Sequence, residues 1–342
     1  MSRETFADRT WYGDGYGGVL LAPLGWLYAW VAAMRRRWYR GGRGPRPDGL
    51  PPVLVVGNLS VGGTGKTPLT VALCTRLEAS GLRVGVVSRG YGGRAGRGPW
   101  RVGRDDTAAD VGDEPLLIRT LTGVPVIVGS DRDGCLRALA QDGLDLVISD
   151  DGLQHYRLHR DAEIVVVDGA RGLGNGRCLP AGPLRETPAR LRHADAVVVN
   201  GDGWQYDAAI AMQLVPADAV NLLDGRRLPL AAFAGTAVHA LAGIGHPERF
   251  FAMLERHGLE VRRCALGDHA APAREQWLPP GDLPVLMTEK DAIKQAHAPT
   301  ARHWSVPVAA ELLADGWQRL ERVLATPLGL PAGALDGGGA AS

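Results

Sequence analysis

The stretch Asn58-Leu-Ser-Val-Gly-Gly-Thr-Gly-Lys-Thr-Pro68 follows the apolar run Val53–Val56. Its residue types suit phosphate. Gly62, Gly63 and Gly65 let the backbone turn tightly and aim N–H groups inward. A helix starting behind them adds the positive end of its dipole. Ser60, Val61 and Thr64 complete the loop. Lys66 can reach β- and γ-phosphates, and the Thr67 hydroxyl can ligate Mg²⁺. Pro68 is tolerated because the first helical turn leaves its N–H groups unpaired. The match to G-x-x-x-x-G-K-[ST] departs at its first position, where Ser60 replaces Gly. The strand–loop–helix setting favours a nucleotide site over a Gly-rich turn without a ligand.

A metal-binding acid should follow a later strand. Leu144-Asp-Leu-Val-Ile-Ser-Asp150-Asp151 provides it, with Asp150 at the strand end and Asp151 free to share Mg²⁺ or face a substrate. Asp113 precedes Glu114-Pro115 and so reads from local sequence as a helix cap. His155 and His159 have zinc-like spacing, but no Glu adjoins His155 and no third ligand is evident, so zinc is not expected. Thr288-Glu-Lys-Asp291 only partly echoes the guanine-reading N-K-x-D pattern, which leaves ATP as the expected nucleotide.

These residues need a scaffold. From residue 52 short β-rich runs alternate with amphipathic stretches. Strands are expected at Val53–Val56, Val84–Ser88, Val124–Val128, Leu144–Ser149, Ile164–Asp168 and Ala196–Asn200. Helices are expected at Pro68–Ser80, Glu114–Leu121 and Arg132–Gln141. Continuous apolar strands mean burial on both faces, as in a parallel sheet covered by helices. The fold class is therefore α/β: a phosphate-loop NTPase-like doubly wound sheet with a second, smaller α/β domain. The expected division is an N-terminal interfacial helix and basic segment at 1–50 and a phosphate-loop core at 51–211. A connecting ribbon at 212–235 precedes the smaller domain at 236–330, and a disordered tail follows at 331–342.

The 342-residue chain is 45% hydrophobic and 22% charged, as a soluble globular protein is, and its net charge of +1 gives no reason to expect nucleic acid. Four scattered cysteines form no C-x-x-C pair, which argues against a disulfide framework and for a reducing compartment. Val19–Met34 is apolar, and Arg35, Arg36, Arg37 and Arg40 follow it. As a helix this run reaches about 24 Å at ~1.5 Å per residue, short of a bilayer core of ~30 Å. The acids Glu4, Asp8 and Asp14 before it do not suit a signal peptide. Two readings stay open: a helix packed on the protein's own core, or one lying in a membrane interface with its arginines on anionic lipid.

Further stretches now join the phosphate loop: SRGYGG (88–93), GDEP (112–115), SDR (130–132), DDGLQHYRLHRD (150–161), LPAGPLRE (179–186), GDH (267–269) and TEKDAIK (288–294). Together with PLGWLY (23–28) they resemble the tetraacyldisaccharide 4'-kinase, or lipid A 4'-kinase, family over about residues 15–325. The resemblance implies transfer of the ATP γ-phosphoryl group to the 4'-hydroxyl of a tetraacylated glucosamine disaccharide 1-phosphate, at the cytoplasmic face of the inner membrane. It implies Asp113 as the base, assisted by His269. A sugar hydroxyl is a poor nucleophile, so a base of this kind is needed. It points to Gln154, His155, Tyr91, Arg132 and Arg185 as holding the acceptor, by stacking or by bidentate phosphate pairing. Glu186 is expected in the metal or base network, and Lys290 and Asp291 as a structural pair. No obligate protein partner is evident. The alternatives are a phosphate-loop nucleotide switch or metallochaperone, for which no Cys/His cluster is visible, and a soluble small-molecule kinase.

Overall fold

The computed structural model describes residues 6–13, 17–267, 270–294 and 297–335. Three helices open the chain, α1 (Phe6–Tyr12), α2 (Gly17–Leu20) and α3 (Ala22–Trp38). Leu, Ala, Met and Arg favour α3, and Pro23 stands in its first turn, where proline is tolerated. One face docks closely through Gly25, where a Cβ would meet Ala181 Cβ at 2.9 Å and Cys178 O at 3.0 Å. The opposite face carries Leu24, Leu27, Val31, Met34 and Trp38 at helical spacing, and all are exposed, as are Trp26 and Trp30 and Leu20 at the end of α2. Among the described residues no helix is long and apolar enough to cross a membrane.

Eight strands then alternate with helices: β1 (Val53–Gly57), β2 (Val84–Ser88), β3 (Trp100–Arg101), β4 (Val126–Val128), β5 (Leu146–Asp150), β6 (Ala162–Asp168), β7 (Ala196–Asn200) and β8 (Ile210–Pro216). The helices among them are α4 (Lys66–Ala79), α5 (Ala108–Val111), α6 (Asp113–Thr122) and α7 (Arg132–Ala140). The second unit holds β9 (Ala219–Asn221), β10 (Arg227–Leu228), β11 (Ala237–Ala242), β12 (Glu260–Ala265), β13 (Val285–Thr288) and β14 (His303–Val306). Its helices are α8 (Pro247–Arg256), α9 (Arg274–Trp277) and α10 (Glu289–Ala292). β15 (Val308–Leu312) and α11 (Gly316–Leu328) end the described chain.

The large sheet runs β15-β8-β7-β6-β1-β5-β2-β4-β3. All neighbours pair in parallel except the two edges, β15 on β8 and β3 on β4. The central strands are buried throughout, as their unbroken Val/Ile/Leu runs require. β1 lies between β5 and β6, so the loop leaving it opens at the carboxyl edge, where ligands of such sheets bind. The smaller sheet runs β10-β9-β14-β13-β11-β12.

The domain limits read from sequence need correction. Met212–Pro216 does not form a ribbon but belongs to β8, inside the large sheet. Only β9 and β10 make the expected hairpin, and they join the smaller sheet. Residues 308–328 return to the first domain: β15 pairs with β8, and Leu320, Leu324 and Leu328 of α11 pack in its core. The disorder expected from residue 331 does not hold for residues 331–335, where Ala334 and Leu335 are buried and Leu335 O accepts from Arg76 Nη1 at 3.0 Å. Residues 336–342 lie outside the described residues.

Candidate active site

The glycine-rich loop expected to bind phosphate is held from several sides. Asn58, buried at the end of β1, donates through Nδ2 to Ser60 O at 2.8 Å and Gly62 O at 3.0 Å. Residues 183–185 run alongside: Val61 N donates to Pro183 O at 2.9 Å and Arg185 N to Leu59 O at 2.7 Å. This pairing is why the LPAGPLRE stretch lies at the site. Gly65 takes a left-handed φ of 94°, and a Cβ there would stand 2.4 Å from Asn200 Nδ2. Asn200 Nδ2 donates to Thr64 O at 3.0 Å, so the glycine admits the side chain that fixes the loop. Lys66 and Thr67 follow as the first residues of α4.

Asp150 and Asp151 stand together at the end of β5, but in different environments. Asp150 is fully buried. Burial is the main influence on its carboxyl, and the charge of Glu114 adds to it; together they push it well above the usual carboxylate range, against the pull of Lys66. Thr70 Oγ1 donates to Asp150 Oδ1 at 3.3 Å, while Oδ2 has no hydrogen-bond partner among the described residues. An oxygen left bare in this way suits a cation. Asp151 takes a left-handed φ of 49°, sparsely populated for a non-glycine residue. Burial raises its carboxyl, but Lys66, Arg185 and Arg132 outweigh that and bring it down to about 2. Lys66 Nζ lies 3.5 Å and Arg185 Nη1 3.3 Å from Asp151 Oδ1.

Arg185 Nη1 also donates to Gln154 Oε1 at 3.3 Å, and Gln154 Nε2 donates to Glu186 Oε1 and Asn58 O, both at 3.2 Å. Five expected residues, Lys66, Asp151, Gln154, Arg185 and Glu186, thus form one network beside the loop. Buried Glu186 turns its other oxygen towards Arg190 Nε, 3.4 Å away. His155 is half-buried next to Gln154. Burial, then Arg132 and Arg160, lower its imidazole to about 4, so at neutral pH it is an uncharged hydrogen-bonding group.

Arg132 departs from expectation. It is buried, and its Nη1 donates to Ser149 Oγ at 3.0 Å, Asp150 O at 3.1 Å and Val87 O at 3.3 Å. The first residue of α7 lies under the end of β5, so its guanidinium braces the Asp150 backbone instead of standing open to a substrate phosphate.

Across the cleft, Gly112 and not Asp113 occupies the cap position of α6. Gly112 has φ 91°, and a Cβ there would meet Tyr91 O at 2.8 Å. The glycine therefore lets the exposed turn bearing Tyr91 lie against the start of α6. Asp113 is buried as the first helical residue, and its Oδ1 accepts from Glu114 N at 2.9 Å. Lys290 Nζ of the second domain lies 3.2 Å from Glu114 Oε1 and 3.9 Å from Asp113 Oδ2. Lys290 and Asp291 are thus not each other's partners: Asp291 pairs with Lys294 at 2.9 Å and accepts from Gly243 N at 2.8 Å. His269 lies outside the described residues.

A cavity of about 340 Å³ separates the two domains. Gly63–Thr67 and Glu114 form one wall, and apolar side chains such as Leu117, Leu121, Ile244, Phe250 and Met253 extend it. Several of its polar groups were not singled out from sequence. Arg249 Nη2 donates to Asp168 Oδ1 at 3.0 Å and Asn200 O at 3.2 Å. Arg171 Nη2 donates to Gly63 O at 2.6 Å and its Nη1 to Gly245 O at 3.4 Å, which ties the loop to the second domain. The available signal was position: Asp168 and Asn200 end parallel strands at the ligand-binding edge.

The family model described as tetraacyldisaccharide-1-P 4'-kinase (LpxK) matches residues 18–327. The tetraacyldisaccharide 4'-kinase of Pseudomonas aeruginosa (strain LESB58) is 50% identical over 313 residues, covering 90% of this chain and 94% of that protein. That of Azotobacter vinelandii is 51% identical over 310 residues, covering 89% and 93%. Among solved structures, Aquifex aeolicus LpxK in complex with ATP superposes with a TM-score of 0.74 at 28% identity, covering 91% of this chain and 99% of that one. A phosphate loop, a strand-end acid pair and an acid across the cleft from them thus occur in a chain that belongs to the tetraacyldisaccharide-1-P 4'-kinase family.

Proposed function

We infer that this protein transfers the γ-phosphoryl group of ATP to the 4'-hydroxyl of a tetraacylated glucosamine disaccharide 1-phosphate, a step in building lipid A. The observation that carries the reading is the Lys66 loop, which lines an interdomain cavity together with Glu114 of the α6 start and pairs through Lys66 Nζ with Asp151 at 3.5 Å, in a chain of this family. ATP is the donor. The N–H groups of residues 60–67 and the Lys66 ammonium hold its phosphates, and the apolar wall beyond takes the nucleoside.

Thr67, Asp150 and Asp151 would hold Mg²⁺. The buried, unpartnered Asp150 Oδ2 fits a hard cation, and Mg²⁺ needs only one or two carboxylates beside the phosphates. That agrees with the lack, among the described residues, of any three-ligand cluster of acids, imidazoles or thiols. When bound, the ion would supply charge neutralisation across the β- and γ-phosphates.

Asp113 takes the proton of the 4'-hydroxyl as transfer proceeds, and His269 orients or supports it. Tyr91, Gln154, His155 and Arg185 hold the acceptor headgroup, and Glu186 fixes Gln154. Arg132 acts one step back, through the Asp150 backbone. The protein works as a peripheral protein on the cytoplasmic side of the inner membrane. The exposed apolar stripe of α3 and the arginines that follow it support this placement, because a tetraacyl substrate keeps its chains in lipid.

The test is incubation with γ-labelled ATP and the disaccharide 1-phosphate lipid in detergent. Label in a bisphosphorylated lipid is the expected result. ATP hydrolysis at one rate with and without the lipid, and no labelled lipid, would favour a nucleotide switch.

A further inference from the structure

We propose that Lys290 is a positioning residue for phosphoryl transfer: carried by the second domain, its ammonium fixes the first turn of α6, and with it Asp113 and Glu114. The inference rests on the reading of Asp113 as base and names what holds that base in place.

Three observations carry it. First, the contact is specific. Lys290 Nζ reaches Glu114 Oε1 at 3.2 Å and stands 3.9 Å from Asp113 Oδ2, with the lysine side chain only 16% and that of Asp113 6% exposed. An ion pair so shielded is less screened than one on the surface. Second, the backbone that delivers Lys290 is rigid. Thr288 caps α10, accepting from Asp291 N at 3.2 Å and donating to Asp291 Oδ2 at 2.6 Å. Fully buried Asp291 in turn accepts from Gly243 N at 2.8 Å and pairs with Lys294 at 2.9 Å. Third, the domains are joined independently on the other side of the cavity, through Arg249 and Asp168 at 3.0 Å and through Arg171 between Gly63 and Gly245. Lys290 is therefore not the sole tie between the domains. Its place at the acids of α6, at the cavity wall shared with Lys66, gives it a local task.

That task follows from the geometry of α6. Asp113 is the first residue of the helix and follows a glycine at φ 91°, so its position depends on how the first turn of α6 is set. Glu114 faces the buried Asp150 electrostatically, and two acids beside a third repel. The Lys290 ammonium on Glu114 offsets that repulsion and keeps the start of α6 from moving away. A base displaced by about 1 Å can lose ~100-fold in rate.

The experiment compares Lys290→Met, Lys290→Arg, Glu114→Gln and the Lys290→Met/Glu114→Gln pair. The measurements are the turnover number at saturating substrates and ATP affinity by calorimetry. Lys290→Met should lose about 100-fold in turnover number and keep its ATP affinity, and Lys290→Arg should regain most of the loss. Glu114→Gln should show the same split, and the double variant should be no worse than the poorer single one, as expected of groups acting as a unit. Normal turnover in Lys290→Met overturns the proposal. So does a parallel fall in turnover and ATP affinity, which would make Lys290 a nucleotide ligand. If Lys290→Met does not fold, Glu114→Gln decides, and normal turnover there overturns it equally. An active Asp113→Asn variant would remove the base reading itself. An inactive Asp113→Asn beside an active Lys290→Met would remove only this inference.

Discussion

Lys66 Nζ lies 3.5 Å from Asp151 Oδ1, so the cation of the phosphate loop is already paired with the second acid of the β5 end. Arg185 holds the same carboxylate from the other side. The pairing keeps Lys66, a largely buried ammonium, beside the loop proposed to hold the ATP phosphates.

Lys66→Ala should therefore cut the turnover number by about 10²–10³-fold or more, because a preorganised cation in a water-poor site supplies charge where the transition state develops it. Phosphoryl transfer assayed at saturating ATP checks this. Near-normal transfer by a folded variant would remove residues 60–67 from the mechanism.

The face of α3 yields a prediction about binding to lipid. Trp26, Trp30, Arg35 and Arg37 are all exposed, so replacing the tryptophans with Ser and the arginines with Glu should leave the fold intact. Binding to anionic vesicles should fall sharply. The variant loses buried aromatic area and about 1 kcal/mol for each basic residue near such a surface. Cosedimentation with the vesicles is the measurement, and unchanged binding would mean that this face does not meet lipid.

Beside the Gln154, Arg185 and Glu186 network lies a buried ionic cluster. Glu163 pairs with Arg190 at 2.6 Å and Arg160 at 2.8 Å, and all three side chains are at most 2% exposed. Burial raises the Glu163 carboxyl, but Arg190 and Arg160 outweigh it and hold the group below the usual range. Its ionised form is thus favoured by folding. That stabilisation is complete above the ordinary carboxylate pKa and is lost as pH falls through the lower folded value. Glu163→Gln should cost about 3–5 kcal/mol at pH 7, since it leaves the Arg160 guanidinium buried without its anion and Arg190 with Glu186 alone. The gap to the unsubstituted protein should shrink as the solution is made acid enough to protonate Glu163. Urea midpoints across that range test it, and equal midpoints at pH 7 would contradict it.

That cluster also shows where reading the sequence stops. Val53–Val56, Leu144–Ser149 and the glycines between 62 and 65 announce their roles locally, through run length, β-branching and turn chemistry. Arg160, Glu163 and Arg190 do not, because isolated charged residues are by default surface residues and only tertiary pairing permits their burial. Arg132, which the resemblance implied for the acceptor, is buried for the same reason: it braces the end of β5, a contact only the tertiary fold creates. The return of Val308–Leu312 to β8 depends on a pairing about a hundred residues back, which no local pattern encodes. Lys290 had no readable role because its partners, Asp113 and Glu114, belong to the other domain.

The claim on which the account turns is that Asp113 removes the proton from the acceptor hydroxyl. The most direct measurement is the turnover number of Asp113→Asn at saturating ATP and lipid acceptor. Asparagine can still accept the 2.9 Å hydrogen bond from Glu114 N and keep the turn at the start of α6, but it cannot take a proton. The account predicts a fall of about 10²–10⁴-fold with ATP affinity retained, the range expected for loss of a general base. Normal turnover in this variant would contradict it, leaving Asp113 a role in the helix start alone and moving the search for the base to His269 or Asp151.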